Sequence, residues 1–205
     1  MHKPDKVWDR FANRYAKSPV SNEAAYQEKL KITRTYFTPE SEVLEFGCGT
    51  GTTAVSHTPF VKHIHAIDVS SKMLEFAKVK ADAAGVSNIT FTCANIEGFA
   101  DSGTVYDVIM GHSILHLLEA KEAVIATVYK MLKPGGVFVS STVCISGNKT
   151  FLRAGLAIGS RLGLLPLVNF FSVDDLAKSL TNAGFTIDRQ WLPENSDAVF
   201  IVAKK

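Results

Sequence analysis

The chain reads as a doubly wound α/β fold, a mostly parallel sheet with helices on both faces. Three observations predict it. Apolar runs of strand length at 42–46, 63–67, 89–93, 107–110 and 137–143 alternate with helix-patterned segments, and such alternation calls for crossover connections. The first run closes on Glu45 and then on Gly47, Gly49 and Gly51, where an open α/β sheet places its ligand crevice. The last two runs, 185–191 and 198–203, follow one another without a helix between them, which suits an antiparallel edge pair.

Taken in order, residues 5–37 carry Trp8, Phe11 and Tyr15 at helical spacing and predict one or two cap helices. Pro19-Val20-Ser21-Asn22 interrupts them, with Ser21 or Asn22 able to cap the second, and Pro39 ends the segment. After the first strand a short helix runs from Gly51 to before Pro59. Ser70 or Ser71 starts the helix after the second strand, whose stripe is Met73, Leu74, Phe76, Ala77 and Val79, and Gly85 stops it. The turn signal Asp101-Ser102-Gly103 precedes the fourth strand. A helix over 119–132 stops at Lys133-Pro134-Gly135-Gly136, and Val137–Val143 is the fifth strand. Ser172 caps a last helix that ends at Gly184.

The chain has 205 residues, 46% hydrophobic and 20% charged, which suits one soluble globular domain. Its three cysteines, Cys48, Cys93 and Cys144, form no C-x-x-C pair, and the N-terminus has no apolar signal core. Both features predict a cytoplasmic protein in a reducing compartment. A net charge of +2 gives no footprint for nucleic acid, and no segment is long and apolar enough for stable membrane insertion. Charge is unevenly placed: no acid lies between Glu122 and Asp174, a stretch holding Lys130, Lys133, Lys149, Arg153 and Arg161.

Val43–Gly51, VLEFGCGTG, and the second strand HIHAIDV, ending at Asp68, carry the chemistry. A glycine turn lets a ligand lie on bare backbone, and an acid at the next strand end is placed for a ribose diol. The dinucleotide fingerprint G-x-G-x-x-G is absent, because the third glycine comes one residue early and Thr52 stands where Gly or Ala is needed. There is no G-x-x-x-x-G-K-[ST] phosphate loop either. Here the chain resembles the class I S-adenosylmethionine-dependent methyltransferases of the small-molecule type, in which E/D-x-G-x-G-x-G opens the cofactor site.

The resemblance is close over about 40–145. Cys93-Ala94-Asn95-Ile96-Glu97 matches the segment flanking the adenine, with Asn95 where many relatives carry Asp. Tyr106–His116 matches the family's fourth strand and its following loop, and Met131–Gly136 its turn into the fifth. It implies a seven-stranded sheet of order 3-2-1-4-5-7-6 with strand 7 antiparallel. It also implies a cofactor site of Glu45, Gly47, Cys48, Gly49 and Gly51 from the loop, Asp68, Val69 and Met73 beyond the second strand, Asn95 and Ile96, and Gly111 and His112. Tyr15 resembles a cap tyrosine that closes over S-adenosylmethionine. His112, and behind it His116, are the candidates for a base or an acceptor-orienting group; an unperturbed imidazole titrates near ~6.5.

The implied organisation is one domain: cap 1–38, cofactor-binding core 39–145, lid insertion 146–171, and a helix with two strands over 172–205. The lid, apolar and cationic, is placed to wall a pocket for a lipophilic or anionic small molecule. The expected activity is methyl transfer from S-adenosylmethionine to a small acceptor, as monomer or homodimer. Alternatives are a non-catalytic S-adenosylmethionine-binding module and a nicotinamide-dependent oxidoreductase. For the latter, Tyr129-x-x-x-Lys133 precedes the fifth strand instead of following it.

Overall fold

In the computed structural model the described residues are 4–205 except 101, 102, 146–149 and 195, with side chains left out at 150–154 and 157. The chain runs α1 (Pro4–Lys17), α2 (Glu23–Arg34), β1 (Glu42–Phe46), α3 (Thr52–His57), β2 (His63–Asp68), α4 (Ser71–Ala83), β3 (Ile89–Cys93), α5 (Ile96–Ala100), β4 (Tyr106–His112), α6 (Lys121–Met131), β5 (Leu132–Val143), α7 (Thr150–Arg161), α8 (Val173–Asn182), β6 (Thr186–Trp191) and β7 (Ala198–Lys204). The sheet order is β3-β2-β1-β4-β5-β7-β6; β7 pairs antiparallel with both β5 and β6, and the other pairs are parallel.

Period-2 alternation divides the core into two layers. Leu44, Phe46, Ile109, Phe138 and Ile201 pack with Val124, Ile125 and Leu176 of α6 and α8 on one face. Val43, Val108, Met110, Val139 and Phe200 pack with Ala54 of α3 and Leu74 of α4 on the other. Glu45 shares the face of Val43, so the strand carries a carboxyl inward among apolar groups, where it is 2% exposed.

Caps are local. Asn22, not Ser21, accepts from Ala25 N–H at 3.0 Å, and Ser70 accepts from Met73 N–H at 3.2 Å. Ser172 and Asp175 form a reciprocal capping box on α8. The second cap also anchors α1, because Ser70 Oγ donates to Asp9 at 2.6 Å.

Two expectations are corrected. Val79 is 68% exposed: the buried stripe of α4 is Met73, Leu74, Ala77 and Ala81, and Val79 lies across the helix from Ala77. β5 begins at Leu132 rather than at 137, because Leu132 pairs with Tyr106 and the Pro134-Gly135 segment loops out as a bulge before Val137 meets Val108. Gly136 is required there, since a Cβ would sit 2.9 Å from Lys133 O and 3.1 Å from Asp107 O. Gly111 and His112 lie at the C-terminal end of β4, as expected, paired with Ser140 and Ser141. α3 ends at His57, before Pro59 as expected, and Pro59 sits in a following 3-10 turn, Thr58–Phe60. Two short elements were not foreseen: α5, whose start is held by Asn95 Oδ1 accepting from Gly98 N–H at 2.9 Å, and a 3-10 turn at Leu115–Leu117. Part of the expected 101–103 turn and the first residues of the expected lid, 146–149, lie outside the described residues.

Candidate functional site

The C-terminal ends of β1, β2, β3 and β4 surround a cleft of ≈ 310 Å³, closed on one side by Trp8 and Tyr15 of α1. The volume sits at the lower end of small-molecule pockets, ~300–1,000 Å³. Its position follows from the topology: β1 is where successive connections switch from one side of the sheet to the other, which leaves a crevice above the strand ends.

The floor is the glycine loop. Gly47, Gly49 and Gly51 have φ of 64°, 54° and 72°, in the left-handed region that glycine alone enters without strain. Their neighbours divide their roles. A Cβ on Gly51 would lie 2.8 Å from Ala77 Cβ, so Gly51 lets α3 approach α4. A Cβ on Gly49 would meet only the Tyr15 ring at 3.6 Å, and Gly49 lines the cleft.

Asp68 ends β2 at the cleft wall. Gly49 N–H donates to its Oδ2 at 2.8 Å and Ser70 N–H to its Oδ1 at 2.9 Å, so the carboxylate is fixed in direction. Burial raises its pKa, against the lowering by these backbone bonds. Glu45 lies behind the loop. Burial and the Asp68 charge push it up to about 8, with Ala54 N–H opposing, and its Oε2 has no hydrogen-bond partner. The Tyr15 hydroxyl is pushed up by burial and by the charges of Glu45 and Asp68. Among the described residues lining the cleft there is no lysine or arginine, while Asp68 and Glu97 are both there.

His112 ends β4 with its Nε2 buried and unpartnered. Burial, then the positive charge of Lys29, hold its pKa at about 4, so it is a neutral acceptor at neutral pH. His116 is likewise held at about 4 by burial, and its Nδ1 has no partner. Between them Ser113 adopts φ 54°, a strained backbone for a non-glycine residue, and its N–H donates to Ser141 O at 2.6 Å.

Of the residues expected at a cofactor site, Tyr15, Gly47, Gly49, Asp68, Val69, Met73, Asn95, Ile96 and His112 line this one cleft, and so does His116, the second candidate for a base. Glu45, Cys48, Gly51 and Gly111 do not. Cys48 packs in the core with Ala54 and Leu74, and a Cβ on Gly111 would lie 2.5 Å from Phe46 Cζ, so that glycine makes room for a ring. Trp8, Phe46, Ser113, Ile114, Leu117 and Leu118 line the cleft and were not foreseen. Trp8 had a signal, its helical spacing to Tyr15, and Ser113 and Ile114 fall in the loop that the Tyr106–His116 resemblance picked out; Leu117 and Leu118 had none, because the 3-10 turn has no apolar period to read.

The segment after α7 reaches the cleft mouth. The Arg10 guanidinium donates to Gly163 O, Asn169 N–H donates to His116 O at 2.7 Å, and the Asn169 side-chain amide donates to Leu118 O. No helix among the described residues is long and apolar enough to cross a membrane.

The model of a methyltransferase domain matches residues 37–182. A malonyl-[acyl-carrier protein] O-methyltransferase of Priestia megaterium is 32% identical over 182 residues, covering 84% of this chain and 62% of that protein. A ubiquinone biosynthesis O-methyltransferase of Rhizobium johnstonii is 29% identical over 116 residues, covering 57% and 45%. The chain thus spans about half to three-fifths of the length of these curated relatives. Among solved structures, an N-methyltransferase of Bradyrhizobium japonicum in complex with S-adenosylhomocysteine superposes with TM-score 0.72 at 18% identity, covering 97% of this chain and 98% of that one. A magnesium protoporphyrin IX methyltransferase of Synechocystis, also with bound S-adenosylhomocysteine, gives 0.71 at 20%, covering 98% and 95%. These two likenesses concern the fold. With the glycine loop, the strand-end acid and the matched span of 146 residues agreeing, the chain belongs to the methyltransferase-domain family.

Proposed function

We propose that the cleft holds S-adenosylmethionine and that the chain transfers its methyl group to a small acceptor. The observation that carries this is electrostatic. Asp68 and Glu97 line the cleft, and no lysine or arginine lines it among the described residues to offset them. Such a site favours a cationic nucleoside and penalises a pyrophosphate, which speaks against a nicotinamide dinucleotide.

In this reading Asp68, already oriented by two backbone N–H groups, uses its remaining lone pairs for the ribose hydroxyls. Asn95, Ile96 and Met73 flank the base, and Gly47 and Gly49 let the ligand lie on the loop. The bound sulfonium supplies an activated methyl group. What the chain supplies is alignment and exclusion of water, and positioning is worth up to roughly 7–11 kcal/mol of barrier. His112 is placed to orient the acceptor and to take its proton where it carries one. Residues 1–38 act as a cap, 39–145 as the cofactor core, 146–171 as the lid and 172–205 as the closing helix and strands. The acceptor would lie between cap, lid and His112.

Calorimetric titration tests the reading. S-adenosylmethionine and S-adenosylhomocysteine are expected to bind while NADH does not. Asp68→Asn is expected to weaken both by on the order of 1.5–3 kcal/mol, the worth of hydrogen bonds to a charged group. Absence of binding and of heat stabilisation by either ligand, or an unchanged Asp68→Asn variant, would overturn it.

A further inference from the structure

A cation stands beside His112 on the side away from the glycine loop. Lys29 of α2 is half-buried, and its ammonium donates to Ser141 Oγ at 2.8 Å. Ser141 is 4% exposed and is the register partner of His112, so the two side chains stand next to each other on one face at the ends of β4 and β5. Of the successive buried hydroxyls Ser140, Ser141 and Thr142, only that of Ser141 has a partner, and the partner is Lys29.

Lys29 makes no ion pair with any described residue. The segment expected as the lid cannot supply one, because no acid occurs between Glu122 and Asp174. Burial alone accounts for the lowering of its pKa, with no opposing carboxylate. Partly buried cations are normally paired, because the lost hydration is not otherwise recovered. The other half-buried cation near the loop, Lys80, is far from this position and contacts Thr50 and Thr52.

We propose that Lys29 and Ser141 form the anion-recognition end of the acceptor site, taking a carboxylate of the acceptor. This rests on the reading above, and it names the acceptor's chemical class. A carboxylate seated at the Lys29 ammonium receives a charge-assisted hydrogen bond there. The rest of the molecule then runs along the strand ends past His112 toward the cleft. Lys29 is a specificity-determining residue in this arrangement.

The test uses matched probes on the full chain, with and without saturating S-adenosylhomocysteine: octanoate against octanamide, and 4-hydroxybenzoate against 4-hydroxybenzamide, followed by calorimetry. In the wild type each carboxylate is expected to bind at least ~10-fold tighter than its amide, the scale of one charge-assisted contact. Lys29→Met abolishes the preference and Lys29→Arg keeps it, while S-adenosylhomocysteine affinity stays unchanged in both. No carboxylate preference in the wild type, or a preference that survives Lys29→Met, overturns the proposal. Failure of S-adenosylhomocysteine to bind overturns the cofactor reading instead, and the titrations without it read Lys29 separately.

Discussion

Glu45 makes the protein's stability fall as the solution turns alkaline, and Glu45→Gln removes that fall. A free glutamate ionises near 4.5, but the folded one keeps its proton up to about 8, chiefly because burial penalises the charge. Between those values the native state binds more protons than the unfolded chain, so stability declines with rising pH, by ~1.4 kcal/mol per pH unit. His57, His112 and His116 act with the opposite sign lower down. Burial holds them at about 3, 4 and 4, below the unfolded 6.5, so their contribution is lost as pH falls through that interval. Asp68, also raised by burial, has the sign of Glu45.

The two trends cross near the unfolded histidine value of 6.5, leaving the interval from there to about 8 to Glu45. Over it Glu45 is expected to contribute a loss of roughly 1.5 kcal/mol, or ~3–6 °C in Tm for a chain of this size, read as the difference between wild type and Glu45→Gln because the histidines offset part of it in the wild type. Urea and thermal unfolding at closely spaced pH, for wild type and Glu45→Gln, measure this. A wild type flat or rising over the interval, or a Glu45→Gln variant with the same decline, refutes the assignment.

Three further outcomes are expected. His112→Ala should lower turnover by ~10²–10⁴ if the imidazole takes the acceptor's proton, with S-adenosylhomocysteine affinity within a few-fold; equal turnover removes His112 from the chemistry. Gly111→Ala should cost about 1–3 kcal/mol in urea unfolding, because the new Cβ falls 2.5 Å from a Phe46 ring already stacked on Phe138. Ser172→Ala breaks the α8 capping box and should cost about 0.5–2 kcal/mol, with Ser172→Thr restoring most of it.

The legible parts of this molecule are those where one residue type answers one local demand. The Ser70 and Ser172 caps each stand within a few residues of the group they serve, and the glycine loop and the strand-end acid each directly follow or close a strand. Gly111 shows the opposite case: beside His112 in sequence it reads as a ligand contact, yet its neighbour is an aromatic ring from β1, brought there by sheet pairing. Cys48 likewise sits inside the loop motif while its sulfur faces the core. The Ser113–Leu118 wall of the cleft was legible only through the resemblance of Tyr106–His116, because irregular backbone has no periodicity, and its strained Ser113 is held by a bond to β5.

Sequence by itself determined the order of elements, their parallel pairing through crossovers, and the loop-and-acid pair that marks the ligand crevice. These follow from hydrophobic period, chain punctuation and glycine's backbone freedom, all short-range properties. Tertiary structure alone decided which residues share the cleft, that Glu45 is held neutral behind it, and that Lys29, 112 residues from Ser141 along the chain, meets it beside His112. Burial, field and contact depend on distances between segments remote in sequence, and only the packed sheet with its helices sets those distances.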